Sequence, residues 1–173
     1  MTPKPEQDIR DTPEFKTLQH DEQFRSWLLM QEAAQEIEFT VSQVPELDGL
    51  TGTREGLQVA EQELLRRFGD SNYSSEQNIS LASRFLYFIG EVFRSNLEGQ
   101  WVAVPSQPPK PPTSMVAVEF SSSFYNPRHM MGFVKQRRTG TELTKIYDRA
   151  VARYNWWVES GRPNRSAAWE GYL

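Results

Sequence analysis

EQNISLASRFLYFIGEVFRSNLEGQWVAV, residues 76–104, is the stretch around which the rest of the chain has to pack. Ile79, Ala82, Phe85, Leu86, Ile89, Val92, Phe93 and Leu97 recur at three- and four-residue steps, which puts them on one face of a helix. Ser74, Ser75 and Asn78 supply capping oxygens before the run, and Gly99 is placed to close the helix in the left-handed conformation. Trp101-Val-Ala-Val104 follows at once and reads as a strand. A long buried helix thus turns directly into a sheet, and the expected fold is α+β: about five helices on a small antiparallel sheet of two to three strands.

The 173 residues amount to one domain, which by surface-to-volume scaling buries roughly 70% of the surface its unfolded chain exposes. With no cysteine in the chain, disulfides, thiolate metal sites and cysteine nucleophiles are excluded. That absence fits a cytoplasmic protein. A formal charge of −4 and a pI near 5.3 supply no concentrated basic surface for nucleic acid and match a basic partner better. No apolar run reaches the roughly 18 residues of a membrane span, and MTPKPEQDIRDTPEF lacks the apolar centre of a signal peptide, so no membrane partner is expected.

Residues 1–17, rich in proline and charge, predict a loose arm ahead of a domain over 18–161 and a tail over 162–173. Asp21 caps a first helix to about Glu38, with Phe24, Trp27, Leu28, Ala34 and Ile37 facing inward. The alternation in Phe39–Val44 then suggests a short edge strand or an extended linker, stopped by Pro45. Thr53 caps a helix over 54–68 with a stripe of Leu57, Ala60, Leu64, Leu65 and Phe68. Five prolines between Pro105 and Pro112 make a stiff connector to a second strand, 115–120, so the hairpin has a rigid tip. Asn126-Pro127 opens a helix through Arg138, and Thr141 caps a last one to about Glu159, buried through Leu143, Ile146, Tyr147, Ala150, Val151, Tyr154 and Trp157 or Val158.

No catalytic motif is present, and three clusters are candidates for binding. Glu91 and Arg94 lie three apart on the long helix and share a face; beside Trp101 they form either an ion pair fixing the helix to the sheet or a pocket with Glu91 as general base. Gly90 in mid-helix signals close approach of another element. Arg128, one helix length before Lys135-Gln-Arg-Arg138, belongs to the densest basic patch: a solvated helix end or an anion site. Trp156 and Trp157 stand about 100° apart on a helix, so with Tyr154, Trp169 and Tyr172 they are either covered by the tail or left as an interaction patch, including one for a homodimer. His20 and His129 have no ligand spacing, Ser121–Ser123 no nucleophile elbow, and no cofactor motif occurs, so neither metal nor cofactor is expected.

Phe88-Ile-Gly-Glu-Val-Phe-Arg94, Gly99-Gln-Trp101, the extended Val116-Ala-Val118 and Asn126-Pro127 together resemble a pattern of small bacterial α+β domains of unassigned function, over residues 76–140. Some proteins of this kind are encoded beside secreted toxins and act as immunity proteins. The resemblance implies a cytoplasmic, non-enzymatic protein-binding domain of immunity or accessory type. Glu32, Glu36, Glu38, Glu46, Asp48 and the proline hairpin would then face another protein, such as a basic toxin. The alternative is a small-molecule-binding or hydrolytic domain with its pocket at Glu91, Arg94 and Trp101.

Overall fold

The computed structural model describes residues 7–165. Its fold is α+β and mainly helical: α1 (Pro13–Leu18), α2 (Glu22–Ala34), α3 (Arg54–Phe68), α4 (Ile79–Asn96), β1 (Gln100–Val104), β2 (Thr113–Ala117), α5 (Pro127–Arg137) and α6 (Glu142–Glu159). α4 packs against α2, α3, α5 and β2. Its Phe85, Ile89, Val92 and Phe93 are fully buried, and each such side chain stabilises the fold by about 1.5–3 kcal/mol relative to exposure. Phe39 and Phe68 meet Phe85 edge-on, with ring centroids 5.1 and 5.9 Å away.

The sheet is one antiparallel pair, in register from Gln100 opposite Ala117 to Val104 opposite Thr113. β2 begins two residues before the predicted 115 and ends at Ala117, after which Val118 and Phe120 are buried. Both outer edges have partners. The Gln19 side chain bonds the Ala103 carbonyl at 2.8 Å and amide at 2.9 Å, as a neighbouring strand would; on the other side Val116 and Tyr125 exchange backbone bonds of 2.8 and 2.9 Å. At the corner between α4 and β1 the left-handed residue is Glu98, with φ of 52°, and not Gly99. Gly99 has a different reason: a Cβ there would lie 2.8 Å from Val116 Cγ1.

The described part of the predicted arm is folded. Thr12 caps α1, and Phe15 is buried against Val102 and Val104 and stacks on Phe124. Phe15, with Ile9 packed against the same cluster, is enough because it lands on the open face of the hairpin. The edge strand or extended linker expected at 39–44 is instead helical: α2 runs on without a break into π-turns over Gln35–Gln43. Thr40 Oγ1 donates back to the Gln35 carbonyl at 3.2 Å, filling the widened turn, and Val44 N closes on the Phe39 carbonyl at 2.7 Å. This turns Phe39 and Thr40 inward and Ile37 outward, so Ile37 is 75% exposed where the periodicity put it in the core. Gln31 and Gln35 are buried in its stead, Gln31 accepting from Arg84 at 2.9 Å. Ile79 is likewise exposed.

Thr53 and Asn126 cap α3 and α5 as the sequence predicts. Two other caps differ. Asn78 donates to Ser71 and Asn72 rather than capping α4. The Thr141 side chain makes no cap bond; Glu61 of α3, fully buried, accepts from Glu142 N and Leu143 N at 2.9 Å each and caps α6 from outside. Beyond α6 the chain turns back: Trp157 is buried, donates from Nε1 to the Pro163 carbonyl at 2.8 Å, and has Arg162 over its ring. Trp169 and Tyr172 lie outside the described residues.

Candidate functional site

Glu91, Arg94 and Trp101 are brought together. Arg94 Nε and Nη2 grip Glu91 through both oxygens, at 2.7 and 2.9 Å, and Trp101 Nε1 donates to Glu91 Oε1 at 2.7 Å. The indole lies flat on Tyr87, with centroids 5.4 Å apart and planes 8° apart, and Trp27 closes both edge-on. Gly90 is required by this stack, since a Cβ there would fall 2.2 Å from Trp101 Cη2. Burial, and after it the Glu91 and Glu32 carboxylates, push the Tyr87 phenol above its usual range. A cleft of about 290 Å³ borders the cluster, lined by Leu28, Glu32, Tyr87, Glu91, Arg94 and Trp101.

Chemically this is a clamp. Both oxygens of Glu91 are engaged by the guanidinium and the indole, and the groups nearest it are an arginine, two aromatics and the Glu32 carboxylate. Its work is to hold β1 against α4 through a side chain whose polar end would otherwise be stranded on an apolar stack. The sequence reading puts Trp27 only on the inward face of the first helix, gives Glu32 to an acidic partner-facing surface and does not single out Tyr87.

The other candidates are dispersed. Arg128 lies at the start of α5, exposed, beside a groove along α4. The basic patch after it is tied down: Lys135 donates to the Ser71 carbonyl at 2.8 Å, Arg137 pairs with Glu142 at 2.9 Å, and Arg138 pairs with Asp70. Trp157 belongs to the core rather than to a binding surface, and Trp156 beside it is half-buried. Among the described residues no group of His, Cys, Asp or Glu is placed to hold a metal ion, and no helix is long and apolar enough to cross a membrane.

A further surface was missed by sequence reasoning. Leu29, Ala33, Ile37 and Val41 stand four residues apart along α2 and its π extension, all exposed, Leu29 by 68% and Val41 by 61%. On a pure α-helix such a row drifts by about 40° per step; the wider π-turns rotate less per residue and bring it back into line. Met30 and Ile79 extend the apolar surface sideways, and Glu32 and Glu36 border it. The spacing was there to be read, but ending the helix at about Glu38 separated Val41 from the row. Comparison with protein-family models, curated proteins and solved structures finds no match for this chain.

Proposed function

We propose that the chain is a non-enzymatic protein-binding domain whose docking face is the outer side of α2 and its π extension. What carries the reading is the exposed row Leu29, Ala33, Ile37 and Val41, an apolar ridge in a setting that gives it no internal role. Its charge points to the partner's sign. Residues 21–48 carry seven acidic side chains and one arginine, whereas the rest of the chain is close to balanced. Glu46 is already spent on Arg66 and Arg67, at 3.3 and 3.2 Å, but Glu32 and Glu36 are exposed beside the ridge. A basic protein with an apolar patch is the complement, steered by charge and held by the ridge. Neutralising or escorting such a protein is the work of an immunity or accessory domain, in keeping with the resemblance of residues 76–140. The engagement of both Glu91 oxygens by Arg94 and Trp101 supports a binding role over a hydrolytic one.

The test is site-specific photo-crosslinking in cells of the native host, with the probe residue at Ile37 or Leu29 and, as control, at Arg149 on α6. The expected product is an adduct to one basic protein from the first two positions and none from the third. Adducts only between copies of this chain, or equal labelling from all three positions, would overturn the reading.

A further inference from the structure

Two hollows on the other side of Trp27 share a boundary. One, of about 240 Å³, opens over Trp27, Leu86 and Pro112; the other, of about 140 Å³, opens over Ala82, Leu86 and Met131; Leu86 and Arg128 line both. Together they form a bent groove along α4 whose size reaches the lower end of the range for small-molecule sites. Apolar side chains such as Trp27, Leu86 and Met131 share its lining with polar ones such as Gln23 and Ser83, and Arg128 stands where the lobes meet.

Arg128 differs from the arginines that follow it. Arg137 and Arg138 each pair with a carboxylate, while among the described residues no carboxylate pairs with the exposed Arg128 guanidinium. Asp21, which also lines the larger lobe, caps α2 by accepting from Phe24 N at 2.9 Å. The α5 amides of Arg128 and His129 are likewise taken, by Asn126 Oδ1. Recognition of an anion here falls to one guanidinium, which suits a single carboxylate. Nor is the groove built for an extended peptide, because both edges of the neighbouring hairpin already have partners in Gln19 and Tyr125.

We infer that this groove binds a small amphiphile with an apolar body and one carboxylate, the body lying over Leu86 and the carboxylate on Arg128. The site meets the apolar surface of the α2 ridge only at Ile79, which lines the smaller lobe, and it does not depend on the reading of that face. Decanoate is the probe, decanol its uncharged counterpart, and titration calorimetry with ligand-to-protein NOEs the measurement. Decanoate should bind with NOEs from its chain to the Leu86 and Met131 methyls, and decanol about tenfold more weakly or worse. Arg128→Gln, at an exposed position, should melt like the parent chain and lose about tenfold in decanoate affinity, Arg128→Lys should lose less, and Arg149→Gln nothing. Equal binding of decanol and decanoate, full affinity in Arg128→Gln, or NOEs confined to the Glu91 cleft would each overturn the inference.

Discussion

Glu61 and Glu91 both reach from one helix to fasten another element, and they do it by opposite means. Glu61 is sealed in the core and, among the described residues, in no ion pair: its two oxygens take the first two amides of α6, so its carboxyl group faces the positive end of a helix dipole. Glu91 sits at the rim, 17% exposed, facing an Arg94 that is 40% exposed, and also receives the Trp101 indole. In the first site a carboxylate replaces water for donors that have no other partner. In the second, water and the guanidinium share the charge. The depth of a charge therefore says little about its value until its donors are named: the Glu61 amides cannot move away, whereas the Arg94 guanidinium can turn to solvent.

The difference predicts very unequal losses. Glu61→Ala strands two buried amides and opens a void, and should cost about 4 kcal/mol in urea unfolding; Glu61→Gln keeps one acceptor but turns an NH2 toward an amide, and should recover less than half. A loss below about 1 kcal/mol for Glu61→Ala would mean that α6 refastens its own end, through Thr141, and that the external cap is dispensable. Glu91→Gln keeps an oxygen for Trp101 and gives up the bidentate pair, so its expected cost is about 2 kcal/mol with an unchanged m-value. If it matched Glu61→Ala, the rim site would be as closed as the core one and the contrast would fail.

The same contrast explains what could be read from the sequence. Glu91 and Arg94 are three residues apart and Gly90 sits beside them, so pairing and close approach are properties of one helical turn. The class of fold follows from the period of Phe85 to Phe93 in the same way. Glu61 meets Glu142 and Leu143 some eighty residues on and bonds only to backbone, which carries no residue-specific signal. The α2 ridge was hidden by a different effect. Phe39, Thr40 and Val41 have strand propensity, but Phe39 has Phe85 and Phe88 to cover it, and tertiary burial held the segment helical. Once the chain widens into π-turns, a fixed α period assigns Ile37 to the wrong side. For Trp157 the sequence leaves two outcomes open, cover by the tail or an exposed patch, and what decides between them is the Pro163 carbonyl arriving at the indole, which spacing does not encode.

Glu63 supplies an intermediate case that sharpens the comparison. It is nearly buried, two residues from Glu61, yet its partners are side chains only: Arg66 Nε at 3.1 Å and Arg67 Nε at 2.8 Å. The Arg66 bond first, and Arg67 with it, hold the Glu63 carboxyl below the ordinary glutamate range, against the opposing effect of burial. A carboxyl depressed in the folded state binds its proton more readily when unfolded. Its stabilisation is thus complete above the unfolded value of 4.5 and disappears as pH falls through the lower folded value. Against Glu63→Gln, the parent chain should be more stable by about 1 kcal/mol near pH 7, and the gap should narrow steadily below pH 4.5. Salt should narrow it too, because the exposed Arg66 is screened. A gap that ignored both acid and salt would place Glu63 with Glu61, as a carboxylate valued for its geometry and not for its charge.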